Sequence, residues 1–191
     1  MFTGIIEEQG LVVKLEKQRN LCSLIVKTQK IARTARLGES IAVDGVCLTV
    51  AGKQKSLLKF DMMKETLAAT TMRFLKAGQK VNLEQALKAN SRFGGHFVTG
   101  HTDGVGILFK KISARNYQEY WIKVPRALMR YVVPKGSVAV NGVSLTVGKI
   151  RANTFSVYLI PFTLKVTTLG FKKISDRVNV EADLIAKYLL K

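Results

Sequence analysis

The sequence predicts an all-β chain: two similar antiparallel β-barrels in tandem, with short helical turns and a helix at the end. Three observations carry this. "SIAVDGVCLTV" (40–50) returns as "SVAVNGVSLTV" (137–147), with eight of eleven residues unchanged. Three further segments recur in the same order: "TGIIEEQG" (3–10) with "TGHTDGVG" (99–106), "ETLAATTMRF" (65–74) with "FTLKVTTLGF" (162–171), and "VNLEQAL" (81–87) with "VNVEADL" (178–184). The first is offset by 96 residues and the others by 97, too long a period for a solenoid, so the chain is a tandem duplication. Finally, apolar and polar residues alternate on either side of Asp44-Gly45 and of Asn141-Gly142, the pattern of strands joined by two-residue turns.

Taken in order, strands are expected at 11–16 and 22–27, then at the hairpin flanking Asp44-Gly45, then at 56–63. Asp-Gly and Asn-Gly suit a type I′ turn, which needs positive φ at both central residues, so the Asp-for-Asn exchange is neutral for the turn. Beyond it, Val46, Leu48 and Val50 face one way and Cys47 and Thr49 the other. In the second half strands are expected at 105–113, 118–124, the Asn141-Gly142 hairpin and 154–160. There Val143, Leu145 and Val147 form the apolar face, opposite Ser144 and Thr146. "ETLAATTMRF" and "PFTLKVTTLGF" read as short helical turns, Pro161 suiting a first helical position. "EADLIAKYLLK" reads as a short amphipathic helix with Leu184, Ile185, Tyr188 and Leu189 as its apolar stripe. The division follows: one barrel over 1–96, a second over 97–184, and a helix over 183–191 suited to oligomerisation.

Composition narrows the function. With 191 residues, 47% hydrophobic, the chain is globular rather than disordered. No apolar run approaches the ~18 residues of a membrane span, and the N-terminus lacks a signal pattern, so a cytoplasmic protein is expected. Two cysteines, Cys22 and Cys47, suggest neither a disulfide framework nor a zinc cluster. The net charge of +18 invites a nucleic-acid reading, but the basic residues are scattered and no RNP-type motif accompanies them. A basic solvated surface, or a preference for anionic small molecules, is the simpler account.

No phosphate-cradling loop is present; "GVGIL" is too short to count. The two histidines, His96 and His101, both lie in "GGHFVTGHTDGVG". A metal site would draw in Asp103, but this spacing on a glycine-rich segment is not the helical zinc pattern. Polar residues lining an interdomain turn are one reading; a ligand site is favoured, because imidazole moves protons near neutrality. Cys47 could be a nucleophile or an apolar filler. Its replacement by Ser144 in the other copy argues against one covalent role for both. A polar strip that hydrogen-bonds a heterocycle, once per half, fits both copies.

The segments "MFTGII", "DGVCLTV", "FDMMKETL", "GGHFVTGHTDGVG", "KGSVAVNGVSLTV", "LIPFTLKVTTLG" and "VNVEAD" together resemble the riboflavin synthase family of two-barrel type, over Met1 to about Leu184. The resemblance implies two six-stranded Greek-key barrels, a C-terminal helix and a homotrimer, with no cofactor and no metal. The implied reaction is dismutation of two molecules of 6,7-dimethyl-8-ribityllumazine, one giving a four-carbon unit to the other. It also implies a first pocket of Gly4, Ile5, Ile6, Cys47, Leu48, Thr49, Asp61, Met62, Met63, Lys64, Glu65 and Thr66. The second would use Gly100, His101, Thr102, Lys135, Ser144, Leu145, Thr146, Tyr158, Leu159, Ile160, Pro161, Phe162 and Thr163. Phe2 lies in the N-terminal segment that reaches the site. His101, Ser144, Thr146, Cys47, Lys135 and Asn141 are the candidates for the chemistry. Asn141 stands where the family more often has Asp, which would slow the enzyme if a carboxylate there moved protons. Each site would lie between the N-terminal barrel of one subunit and the C-terminal barrel of its neighbour. Association with a lumazine synthase capsid is a further possible partnership; nucleic acid and membrane are not expected partners. The alternatives are a non-catalytic antenna protein of the same fold that binds a lumazine or flavin, and a basic barrel that binds RNA.

Overall fold

The computed structural model describes residues 1–17 and 21–190, so Lys191 of the expected final helix lies outside the described residues. The first half holds β1 (Glu8–Lys17), β2 (Leu21–Lys27), β3 (Ser40–Val43), β4 (Val46–Gln54), β5 (Leu57–Met63) and β6 (Lys80–Gln85). The second holds β7 (Gly104–Ser113), β8 (Gln118–Lys123), β9 (Ser137–Val140), β10 (Val143–Arg151), β11 (Thr154–Leu159) and β12 (Arg177–Ala182). Each set closes into a six-stranded antiparallel barrel, in the order β1-β2-β5-β4-β3-β6 and its counterpart β10-β11-β8-β7-β12-β9. Closure leaves no open sheet edge on either unit. Short helices α1 (Ile31–Thr34) and α3 (Arg126–Met129) occupy equivalent places, as do α2 (Lys64–Ala69) and α4 (Pro161–Val166). The last two are each followed by a 3₁₀ turn, Thr71–Phe74 and Thr168–Phe171. Helix α5 (Leu184–Leu189) begins at Asp183, whose side chain accepts from the Ile185 N–H.

The hairpin expectation is met: Asp44 and Gly45 have φ of 43° and 78°, and Asn141 and Gly142 of 46° and 77°. Val46, Leu48 and Val50 enter the first core, while Val143 and Val147, with Leu145 beside them, enter the second. The strand expectations omitted β6 and β12. Their sequences alternate apolar with Asn and Glu, yet Val81, Asn82, Leu83 and Glu84 are all buried, as are Val178, Asn179, Val180 and Glu181. One face fills the barrel and the other, polar one fills the seam between barrels, so polarity does not mark exposure there.

That seam is a pseudo-twofold. Phe2 and Val98 pair as a short antiparallel bridge and pack with Ala42 and Ala139 in a small third core. Phe2 is wholly buried, worth roughly 1.5–3 kcal/mol of apolar burial. The two hairpin turns meet head-on: a Cβ on Gly45 would stand 2.5 Å from the Gly142 nitrogen. The Asn82 amide donates to the Asn141 carbonyl (2.9 Å), and the Asn179 amide to the Asp44 carbonyl (2.8 Å). Their side-chain oxygens accept from the Thr168 and Thr71 N–H groups of the opposite barrels. Asp44 Oδ1 accepts from Asn82 N–H, as Asn141 Oδ1 does from Asn179 N–H, both at 2.8 Å.

Candidate active site

On each barrel a polar strip rises from the strand after the hairpin: Cys47 and Thr49 on β4, Ser144 and Thr146 on β10. Cys47 and Ser144 are half-buried, whereas Thr49 and Thr146 are exposed. The segments that cover them come from the other half of the chain. The Ser144 N–H donates to the Gly4 carbonyl (2.8 Å), and the Cys47 N–H donates to the Gly100 carbonyl (2.9 Å). Ile6 packs against the second barrel's core. Within one chain these contacts run across the two expected residue sets. Gly4, Ile5 and Ile6 go with Ser144 and Thr146, and Gly100, His101 and Thr102 go with Cys47 and Thr49. This arises because Phe2 and Val98 pair across the pseudo-twofold, carrying each following segment onto the partner barrel.

Both glycines are required. Gly4 has φ 78° and Gly100 φ 80°, and a Cβ on either would come within 2.6 Å of the Cβ of Ser144 or Cys47. Each turn is gripped by a buried glutamate from the last strand of its own barrel. Glu84 Oε1 accepts from Thr3 N–H (2.7 Å) and Thr3 Oγ1 (2.8 Å), and Oε2 from Gly4 N–H (3.0 Å). Glu181 Oε1 accepts from Thr99 N–H (2.7 Å) and Thr99 Oγ1 (2.6 Å), and Oε2 from Gly100 N–H (3.0 Å). Burial pushes both carboxyl groups above the usual carboxylate range, against these hydrogen bonds.

The principal addition to the sequence-based set is His96. Its Nδ1 lies 2.7 Å from Ser144 Oγ, and its backbone N–H donates to the Thr3 carbonyl (3.1 Å). The ring is buried, which holds its pKa below the ordinary histidine value against the opposing charge of Asp183. The imidazole is thus neutral near pH 7. In its Nε2-protonated tautomer Nδ1 accepts a hydrogen bond from the Ser144 hydroxyl. His96 Nε2 is buried without a hydrogen-bond partner among the described residues, and so is Thr102 Oγ1. His101 is exposed, with its N–H on Thr99 Oγ1 (3.2 Å). No histidine hydrogen bond to Cys47 is found among the described residues, so the two strips are chemically unequal.

The remaining candidates occupy several places. Met63, Lys64, Glu65 and Thr66, with Ile160, Pro161, Phe162 and Thr163, run from the ends of β5 and β11 into α2 and α4 beside the strips; Met63, Ile160 and Phe162 are exposed. Asp61 accepts from Ser23 Oγ (2.6 Å) and lies 3.5 Å from Lys59 Nζ, while at the equivalent place Tyr158 stands edge-on to Tyr117. Gly148 leaves room for the Tyr158 ring, which a Cβ there would meet at 2.5 Å. Leu48, Met62, Leu159 and Phe2 are buried in the cores. Leu145 is half-buried, and Lys135 is an exposed turn residue with φ 66° whose N–H donates to the Val147 carbonyl. Asn141 is wholly buried in the seam, where its carbonyl and Oδ1 are both engaged and its Nδ2 has no hydrogen-bond partner among the described residues.

The profile of the lumazine binding domain family matches this chain twice, at residues 3–86 and 99–183, one match to each barrel. The chain is 44% identical to riboflavin synthase of Actinobacillus pleuropneumoniae over 189 residues, covering 99% of this chain and 88% of that protein. It is 43% identical to riboflavin synthase of Bacillus subtilis over 191 residues, covering 100% and 89%. The chain belongs to the riboflavin synthase family. The family's fold extends to a crystal structure of LumP complexed with 6,7-dimethyl-8-(1′-D-ribityl)lumazine, with a TM-score of 0.87 and 26% identity over 95% of this chain and 99% of that one. In this riboflavin synthase family member, each matched repeat contains one polar strip and one glutamate-held Thr-Gly turn.

Proposed function

We propose that the protein is a riboflavin synthase, converting two 6,7-dimethyl-8-ribityllumazine molecules into riboflavin and 5-amino-6-(ribitylamino)uracil. The observation that carries this is the doubled site: two similar barrels, each presenting a polar strip beneath a Thr-Gly turn, as two copies of one substrate demand. The two products together contain the atoms of two substrates, so the reaction needs no outside oxidant or reductant. One lumazine must lose a proton from its C7 methyl, and the other must take a nucleophile at C7. His96 and Ser144 are suited to these tasks on the second barrel. Cys47 and Thr49 hold the partner ring on the first, with Thr102 as a hydrogen-bonding group. His101 and Lys135 supply further polar contact. Fixing two rings in register converts an encounter into an intramolecular step, which can lower the barrier by up to about 7–11 kcal/mol.

Thr49 and Thr146 stay exposed at the ends of the two strips in one chain, as do Ile5, Met63, Ile160 and Phe162. This supports a site completed by a second subunit, the N-terminal barrel of one copy facing the C-terminal barrel of the next. A homotrimer is supported by the face of α5, where Tyr188 is 67% and Leu189 78% exposed. There Ile185, Met1 and Phe97 line an apolar hollow of about 360 Å³ with them. A cytoplasmic location agrees with Cys22 and Cys47 forming no disulfide among the described residues, where no helix is long and apolar enough to cross a membrane either. A lumazine synthase partner would fit the same substrate.

Incubating the purified protein with 6,7-dimethyl-8-ribityllumazine and following flavin absorbance tests the reading. One riboflavin should form for every two lumazines consumed. Binding without turnover would overturn the synthase and leave a non-catalytic lumazine- or flavin-binding protein, a reading that the likeness to LumP, solved with such ligands, supports.

A further inference from the structure

We infer that Glu84 is a positioning residue for the His96–Ser144 pair, acting through the Thr3–Gly4 turn. This rests on the synthase reading for its activity assay but not for its structural signature. Glu84 belongs to β6 of the first barrel, and the pair stands on the second. The connection is two hydrogen bonds long in each direction. Glu84 binds the Thr3 N–H and hydroxyl, and the Thr3 carbonyl accepts the His96 N–H at 3.1 Å. Glu84 also binds the Gly4 N–H, and the Gly4 carbonyl accepts the Ser144 N–H at 2.8 Å. One carboxylate thereby fixes the backbone of both partners in the 2.7 Å His96–Ser144 contact.

The geometry leaves little slack. A Cβ on Gly95, beside His96, would stand 2.0 Å from the Thr3 carbonyl oxygen and 3.0 Å from Ser144 Oγ. Three backbones are stacked there as closely as glycine allows, so a displaced Thr3–Gly4 turn must displace His96, Ser144 or both. Only a carboxylate serves this arrangement. Both of its oxygens accept here, with the Ile5 amide a further donor, and such bonds are charge-assisted. Glutamine has one acceptor oxygen and would point N–H groups at N–H groups. Glu181 makes the same grip on Thr99 and Gly100, which leads to Cys47 and, through Thr99 Oγ1, to the backbone of exposed His101 but not to His96, and so provides a matched comparison within one molecule.

The experiment compares Glu84→Gln with Glu181→Gln in the full chain. Steady-state turnover of 6,7-dimethyl-8-ribityllumazine is read alongside the imidazole ¹⁵N resonances, assigned with His96→Gln and His101→Gln. Glu84→Gln should lower kcat about ten- to a hundredfold with KM changed by less than about threefold. It should also shift the His96 Nδ1 resonance. Glu181→Gln should leave that resonance in place. Thr3→Val, which removes one donor and keeps both backbone bonds, should move it in the same direction by less. The proposal is overturned if Glu84→Gln leaves the His96 resonance and kcat unchanged. It is equally overturned if both glutamine variants shift it alike, which would mean general loosening. Should the unaltered protein show no turnover, the synthase reading fails, while the resonances still decide the role of Glu84.

Discussion

Replacing Asp44 by Asn should make the protein more stable at neutral pH and remove a pH dependence built into the seam. Asp44 is wholly enclosed where the two hairpin turns meet. Burial raises its pKa from 3.8 to about 6, outweighing the Asn82 N–H bond, the attraction of Lys172 and the Thr168 hydroxyl at 3.5 Å. Because the folded value lies above the unfolded one, the native protein holds this proton at pH values where the unfolded chain has released it. Stability therefore falls as pH rises through the window from about 4 to 6, and the cost is complete above it. A rise of about two pKa units corresponds to about 3 kcal/mol. An amide keeps the oxygen that accepts from Asn82 and cannot ionise, as Asn141 already shows across the pseudo-twofold. Asp44→Asn should gain about 1–3 kcal/mol at pH 8, the lower end allowing for its new N–H groups, and about nothing at pH 4. Urea midpoints between pH 4 and 8, at fixed protein concentration, measure this. The converse Asn141→Asp should lose stability as pH rises. Curves for Asp44→Asn that run parallel to the unaltered protein at every pH would refute the reasoning.

Three further outcomes are expected. His96→Gln should cut kcat by about a hundredfold with little change in KM, the usual size of a lost general base. In the unaltered enzyme kcat should fall on the acid side with a midpoint below the ordinary histidine pKa, because protonation removes the acceptor Ser144 needs, and His96→Gln should abolish that limb. Gly100→Ala should destabilise the fold by about 1–3 kcal/mol, since φ is 80° and the new Cβ meets Cys47. Thermal unfolding would show it, and an unchanged midpoint would mean that the Gly100 turn yields freely. Leu189→Glu with Tyr188→Ala should reduce the sedimenting mass to that of one chain and lower turnover with it. Retention of the full assembly would remove α5 from the interface.

Particular residues show how far the sequence could be read. The Asp44-Gly45 and Asn141-Gly142 turns were legible because type I′ geometry admits few dipeptides. The inward and outward faces of β4 and β10 followed from period-two alternation. Strands β6 and β12 were missed because Asn82, Glu84, Asn179 and Glu181 look like exposed positions; their exact recurrence as "VN-x-E" in both halves was the available signal. His96 was seen beside His101, but nothing local told which of the two would reach Ser144.

Duplication, hairpins, barrel count and the Cys47/Ser144 strips are properties of local pattern, and the sequence alone determines them through backbone sterics and the alternation of a strand. The pairing of Gly4 with Ser144 and of Gly100 with Cys47, the His96 contact and the burial of Asp44 were decided only by the tertiary structure. Each depends on two segments some 50 to 140 residues apart meeting across a pseudo-twofold, where the Phe2–Val98 bridge sends each leading segment onto the other barrel. Linear spacing carries no record of that crossing, because hydrogen bonds between barrels are chosen by how the two closed units dock rather than by any repeat within one.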